Sequence, residues 1–434
     1  MKIHLIGVKG SGMSSLAQFL KDMGHDVDGS DKGVYIFTQD ILKKAGINII
    51  NFDEIKYNDY DIFIAGHDFI NSDYVFKALE SEKIVYEYNE YLAKLNEQFV
   101  TIAVSGTHGK TTTTKIIADI MNTTLKTSYV IGDGEGKYIN ASNYLVYEAC
   151  EYKRHYLSYF ADTHVILNVE FDHVDYFVDE EDYNDAFFEF ASNAKYNLVI
   201  NGDEKFSQKV KDIRKNIITF GLEDCNTFQA KNIVDDEQGL KYDLYINSKF
   251  KGVVKIRRNG LFMVYNTLAA LATASIYISD IDVLIKAISN FSGVNRRWVE
   301  TLIDDEVYID DYAHHPSEIK AVLNALRTKY KKRKIIAVFR PDRHSRILKF
   351  KDEFIEALTN ADQAYVVNFP PTSKNDTHID FDARILCDGN KIKFFDETNE
   401  SYQEIASFNH VVYVFMSSKD LSFIANKIKS KRME

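Results

Sequence analysis

The chain has 434 residues, 45% of them apolar and 27% charged, with a net charge of −11. That length exceeds one ordinary core and predicts two or three domains of a soluble globular protein. The acidic balance argues against a nucleic-acid partner, and no apolar run reaches the length of a membrane span. Three cysteines, Cys150, Cys225 and Cys387, lie far apart without metal spacing, as in a reducing compartment. Met1-Lys2 runs straight into the short apolar run 3–6 and then glycines, unlike a signal peptide, so a cytoplasmic location is expected. All four prolines, Pro316, Pro341, Pro370 and Pro371, fall in the last third and suggest a differently built C-terminal domain.

Residues 2–6 predict a strand that feeds Gly7-Val8-Lys9-Gly10-Ser11-Gly12-Met13-Ser14-Ser15-Leu16-Ala17, with a helix running on to Met23. Val27 then leads to Gly29-Ser30-Asp31 at the end of a second strand. A glycine loop at the first turn and an acid about twenty residues on is the layout of a dinucleotide fold. The spacing is Gly-x-x-Gly-x-Gly, not Gly-x-Gly-x-x-Gly, so a nucleotide sugar and NAD both stay open. Residues 47–50 and 62–65 predict short strands. Gly66-His67-Asp68 falls on the rim where open α/β sheets bind ligands, and His67 suits a turn as well as a ligand there. A charged helix over 87–96 precedes a boundary near Glu97.

A buried strand over 101–104 enters Ser105-Gly106-Thr107-His108-Gly109-Lys110-Thr111-Thr112, and helical apolar spacing follows through Met121. Strand, glycine loop, Lys-Thr and helix make a phosphate cradle, although Val104 stands where the strict motif has its first Gly. Lys110 would neutralise the β/γ-phosphates and Thr111 would bind Mg²⁺. The runs 144–152 and 164–175 predict strands ending in acids or His on the same rim, which makes Glu148 and His173 candidate metal ligands. Residues 197–201 give another strand, 215–257 a small antiparallel excursion, and 260–276 an Ala-rich helix beginning near Asn266. Arg296-Arg297 beside a boundary are placed to reach phosphate across a cleft. A strand from 307 ends in Asp310-Asp311-Tyr312-Ala313-His314-His315-Pro316 before a helix over 317–330. Another, 334–339, precedes a loop carrying Arg340, Arg343, His344 and Arg346, which suits a phosphoryl clamp or a solvated basic turn equally. Residues 364–369 and 411–416 predict two more strands.

Taken together and in this order, residues 7–17, the Gly106–Thr111 loop, Glu148, Asp172-His173, Asn266, Arg296-Arg297, 310–316 and Arg346 resemble the Mur ligase family of peptidoglycan synthesis. The resemblance implies an α/β fold of three domains. These are an N-terminal Rossmann-like domain for a UDP-sugar (1–97), a central P-loop ATPase-type parallel sheet (98–298), and a C-terminal Rossmann-like domain that closes over the amino acid (299–434). It implies an ATP- and Mg²⁺-dependent ligase joining L-alanine or another amino acid to UDP-N-acetylmuramic acid through an acyl phosphate, as a monomer or homodimer. The implied catalytic residues are Lys110, His173, Arg297, His314 and Arg346. ATP would meet Gly106, Thr107, His108, Gly109, Lys110, Thr111, Thr112, Asn266, Arg297 and Asp311. The UDP-sugar would meet Gly10, Ser11, Gly12, Met13, Ser14, Asp31 and His67, and the metal would meet Thr111, Glu148 and His173. Three segments depart from the family pattern. Gly260-Leu261-Phe262-Met263-Val264-Tyr265-Asn266 replaces Gly-x-His-Asn-x-x-Asn, Arg340–Arg346 replaces Gln-Pro-His-x-x-(Ser/Thr)-Arg, and Ser417-Ser418-Lys419-Asp420 replaces Gly-Ala-Gly-Asp. A ligase for another amine or peptide and a non-catalytic UDP-sugar-binding protein are the alternatives. An NAD oxidoreductase explains the first loop but not the second.

Overall fold

The computed structural model describes residues 1–370, 376–377 and 379–433. The first sheet holds β1 (Lys2–Ile6), β2 (Asp26–Ser30), β3 (Asn48–Ile50), β4 (Ile62–Ala65) and β5 (Ile84–Glu87), all parallel, in the order β3-β2-β1-β4-β5. β4 is buried along its whole length, as a strand covered on both faces must be. The order reverses between β1 and β4, so the crevice beyond their carboxyl ends is framed by the Gly7–Gly12 loop and Gly66-His67.

The central sheet comprises β6 (Val100–Ser105), β7 (Thr127–Val130), β8 (Gly136–Lys137), β9 (Tyr144–Glu148), β10 (Thr163–Ile166), β11 (Asn197–Asn201), β12 (Asn216–Gly221), β13 (Phe228–Asp236), β14 (Gly239–Ile246) and β15 (Lys249–Ile256). Its order is β15-β14-β13-β12-β11-β10-β6-β9-β7-β8. The run from β7 to β13 is parallel, so of the antiparallel excursion expected over 215–257 the first strand, β12, belongs to the parallel sheet, and only β13, β14 and β15 pair antiparallel. Two expected strands are shorter than the apolar runs suggested. β9 stops at Glu148, and Tyr152–Ser158 coils as a 3-10 segment with Lys153 and Arg154 in left-handed conformation. β10 stops at Ile166, and 167–175 becomes loop. The Ala-rich helix begins at Leu261, not near Asn266. Gly260, at φ +104, starts it, and the Leu-Phe-Met-Val-Tyr run belongs to its first turns.

The third sheet has β16 (Val299–Ile303), β17 (Glu306–Asp311), β18 (Lys334–Phe339), β19 (Gln363–Val367), β20 (Ile392–Phe395) and β21 (Val411–Met416), in the order β16-β17-β21-β18-β19-β20. Among the described residues, only the β16–β17 hairpin of this sheet is antiparallel. The carboxyl ends of β17, β21 and β18 therefore present Asp311, Ser417 and Arg340 on one rim. The expected basic loop is shorter, because His344–Lys349 is helical and carries Arg346 with it.

The three units share close seams. A Cβ on Gly136 would stand 1.9 Å from the Ser15 carbonyl oxygen, so only glycine lets the helix Ser11–Asp22 approach β8 this closely. Ser15 Oγ donates to the Ile131 carbonyl at 2.5 Å, and Ser14 Oγ to that of Gly134 at 3.2 Å. Among the described residues, no helix is long and apolar enough to cross a membrane.

Candidate active site

The glycine loop between β6 and the helix Lys110–Met121 needs both of its glycines. Gly106 has φ +137, and a Cβ there would meet Leu167 at 2.9 Å. Gly109 has φ +83, and a Cβ there would meet Asn266 Oδ1 at 2.5 Å. Backbone N–H groups at the helix start and its dipole face outward from this turn, a ready anion site. The Lys110 ammonium donates to the Gly106 and Thr107 carbonyls at 2.5 and 3.0 Å and lies 2.9 Å from Glu151 Oε2. Thr111 Oγ1 donates to Glu148 Oε2 at 2.9 Å, and the Gly132 N–H donates to the same oxygen at 2.9 Å.

The structure thus joins two of the three expected metal ligands, Thr111 and Glu148. The third, His173, has left-handed backbone and places Nε2 3.2 Å from Glu151 Oε1. Glu151 was not singled out from the sequence, yet it links Lys110 to His173 and is 1% exposed. Burial alone would raise its pKa, but Lys110 and His173 outweigh that and hold it at about 2. Its place three residues after Glu148, at the end of the same apolar run, was the available signal.

The C-terminal sheet supplies the opposite wall. His108 Nε2 is 2.9 Å from Glu170 Oε2, and its Nδ1 is 3.3 Å from Glu318 Oε1. Burial opposes its charge, but Glu318 and Glu170 overcome this and raise it to about 9. Ser317 Oγ donates to Glu170 at 2.9 Å and sits 2.7 Å from His315 Nδ1. His314 Nδ1 lies 3.2 Å from Glu318 Oε2. Asp311 accepts the Trp298 and Ala313 N–H groups, each at 2.8 Å, and burial lifts it to about 6 despite Arg297. The Arg297 guanidinium lies 4.4 Å over the Tyr312 ring, 3.7 Å from Glu318.

Arg346 is 2% exposed, and its donors are spent inside the protein. Nε and Nη2 donate to the two Asp172 oxygens at 2.9 and 3.0 Å, and Nη1 donates to Asp342 at 2.7 Å. Arg343 pairs with Asp175. Arg343 and Arg346 thus grip the central unit's Asp172–Asp175 loop, where the sequence left a phosphoryl clamp and a solvated basic turn equally open.

A cavity of about 900 Å³ lies between the central and C-terminal units. His108, Gly109, Thr112, Asn266, Arg297 and Asp311 line it, while Gly106, Thr107, Lys110 and Thr111 sit in the adjoining loop. Its far wall holds Asn201, Asp203, Phe206, Phe262 and Tyr265, with Tyr265 Oη donating to Asp203 at 3.0 Å. Chain spacing gave no sign that β11 and the helix Leu261–Ala274 would meet here.

At the N-terminal crevice, Asp31 accepts the Lys9 and Lys32 N–H groups, each at 2.7 Å, and so fixes the glycine loop. Gly10, Ser11 and Gly12 reach the surface, whereas Met13 and Ser14 are buried against the rest of the protein. His67 lies on the expected rim, paired with Glu87 at 2.7 Å.

Family profiles cover nearly the whole chain. The Mur ligase family catalytic domain matches residues 2–100, the Mur ligase middle domain 104–274, and the Mur ligase glutamate ligase domain 297–418. A UDP-N-acetylmuramate–alanine ligase from Thermotoga maritima is 23% identical, with TM-score 0.82 and coverage of 100% of this chain and 99% of that one. A murein peptide ligase from Psychrobacter arcticus is 21% identical, with TM-score 0.73 and coverage of 99% and 98%. A MurF ligase from Thermotoga maritima, solved in complex with ADP, is 18% identical, with TM-score 0.65 and coverage of 93% of each chain. With three family domains in sequence order and the same three-sheet architecture, the chain belongs to the Mur ligase family of ATP-dependent ligases acting on peptidoglycan precursors.

Proposed function

We propose that this protein joins L-alanine to UDP-N-acetylmuramic acid at the expense of ATP. The observation that carries the reading is the Thr111–Glu148 pair, 2.9 Å apart, where the glycine loop adjoins the cavity under the C-terminal unit. The site fits a nucleoside triphosphate with Mg²⁺. Gly109 is bare where a Cβ would strike Asn266, and a hydroxyl with a carboxylate is the hard oxygen set that magnesium takes. Thr111 and Glu148, with His173 in the adjoining buried network, would hold the ion, which supplies charge neutralisation at the transferring phosphoryl group.

Lys110 now spends its protons on loop carbonyls and Glu151, and would turn them to the β- and γ-phosphates. Phe206, Phe262 and Tyr265 offer apolar walls to adenine, and Arg297 offers a cation to phosphate. Gly10, Ser11, Gly12 and Asp31 would seat the UDP-sugar, with His67 at the rim. Met13 and Ser14 keep the loop packed instead. The sugar's carboxylate oxygen attacks the γ-phosphorus and the bond to ADP breaks, giving an acyl phosphate. The amine then attacks the acyl carbon, phosphate leaves with the carboxylate oxygen, and the surplus amine proton passes out. A carboxylate is a poor electrophile, and phosphorylation supplies its leaving group. The protein's part is to position and to stabilise charge.

The choice of L-alanine follows the motif resemblance and the name of the Thermotoga ligase of like architecture. A second reading, another amine or peptide as acceptor, draws on the altered late loop. Arg296 donates to the carbonyls of Ser418, Ser417 and Lys419 at 3.0, 2.9 and 2.6 Å, bracing a segment from which flexible glycine is absent. The test supplies ATP, Mg²⁺ and UDP-N-acetylmuramic acid with each standard amino acid in turn and reads the product by mass. An L-alanine adduct is expected. An adduct with a different amino acid would reassign the acceptor, and intact sugar binding with no adduct would overturn the reading of a single amino acid as acceptor.

A further inference from the structure

At the seam between the N-terminal and central units, three side chains converge from three separate segments. His67 follows β4, Glu87 ends β5, and His155 lies in the 3-10 segment Tyr152–Ser158. His67 Nδ1 is 2.7 Å from Glu87 Oε1 and 3.0 Å from His155 Nε2, and those two atoms are 4.0 Å from each other. His67 Nδ1, which carries at most one proton, therefore faces both a carboxylate oxygen and a second imidazole nitrogen. The sides are close to those of a right-angled triangle, so the point about 2.0 Å from all three atoms falls midway along the Glu87–His155 side, and small side-chain shifts would set the three donors around one ion at the ligand distance of zinc and its first-row neighbours. The side chains are 35%, 20% and 21% exposed, so an ion can enter from solvent without the seam unfolding.

We propose that His67 Nδ1, Glu87 Oε1 and His155 Nε2 form a site for a divalent first-row transition metal ion that pins the N-terminal unit to the central one, with water completing the coordination. Two imidazoles and one carboxylate suit zinc, cobalt or nickel rather than magnesium or calcium. The ion would be distinct from the magnesium proposed beside Thr111 and Glu148.

One neighbour opposes the ion. Lys153 Nζ is 2.8 Å from His67 Nε2, the nitrogen that must hold the proton once Nδ1 binds metal. The ammonium then has to swing away, and its flexible stem already brings it 5.4 Å from the centre of the Tyr152 ring. Lys153→Met should therefore tighten metal binding, an effect that a plain hydrogen-bonded seam does not predict.

The inference does not rest on the ligase reading, and its test uses neither ATP nor UDP-sugar. Full-length protein, stripped with a chelator, is titrated with Co²⁺ by visible absorption and with Zn²⁺ by calorimetry. One ion per chain is expected, with affinity reduced at least about tenfold in His155→Gln and in Glu87→Gln and raised in Lys153→Met. Zn²⁺ should raise the melting temperature of the wild type and not that of His155→Gln. Far-UV circular dichroism checks each variant, and Glu87→Gln decides if His155→Gln misfolds. Substoichiometric binding, wild-type affinity in both ligand variants, or loss of binding in His108→Gln alone would overturn the proposal.

Discussion

Lys110 carries two loads that mutation can separate. It is the cation of the glycine loop, and it neutralises Glu151, a carboxylate that is 1% exposed. Lys110→Ala should lower phosphate release by about 100-fold or more while UDP-sugar binding, read by calorimetry, persists. The same change strands a buried charge, at a cost of about 3–5 kcal/mol. Adding Glu151→Gln should restore the melting temperature and leave turnover lost; recovered turnover would contradict the role given to Lys110. Arg346 offers the complementary case. Arg346→Met leaves Asp172 and Asp342 buried without their shared guanidinium, and should destabilise the protein by about 3–5 kcal/mol, seen as a lower melting temperature. A surface arginine would cost under about 1 kcal/mol. The Gly-Lys-Thr loop and Glu148 were legible in the sequence because each depends on neighbours within a few residues or on one strand end. Glu151 and the pairing of Arg346 were not. Arg346 meets a partner 174 positions away, and no local pattern encodes that distance.

At the level of elements, the seam between the glycine loop and the helix Pro316–Lys329 is held by a charged imidazole. His108 sits at about 9 in the folded protein against 6.5 for the free group. A group whose value is raised on folding contributes stability in full below the lower value and loses it as pH climbs through the upper one. The seam should therefore weaken between about pH 7 and pH 10, and the melting temperature of the wild type should fall more over that window than that of His108→Gln. The single tryptophan, Trp298, lies buried where the central unit passes into the third sheet, so its emission reports the same opening. Equal pH dependence in wild type and variant would contradict the assignment. Strand and helix cores were readable from apolar period, but their ends were not. The run 144–152 looked continuous, yet β9 stops at Glu148 and Tyr152–Ser158 coils, and the helix holding Asn266 starts at Leu261, straight after Gly260 at φ +104.

For the molecule as a whole, three parallel-cored sheets meet at close seams, and a cavity of about 900 Å³ opens between the second and third units. The order of the units was legible because each opens on its own strand and loop motif. The contacts that fix their mutual placement were not. Gly136 against Ser15, and Arg346 against Asp172, are meetings of surfaces from distant parts of the chain. That placement brings the glycine loop, Asn266, Arg297 and Asp311 onto one cavity, and the proposed chemistry needs all of them at once. The most direct test supplies UDP-N-acetylmuramic acid with heavy oxygen in its carboxylate, together with ATP, Mg²⁺ and L-alanine, and weighs the released phosphate. Attack by the carboxylate on the γ-phosphorus predicts one heavy oxygen in each phosphate formed. Unlabelled phosphate would mean that water, not the sugar's carboxylate, takes the phosphoryl group, and the acyl-phosphate account would fall.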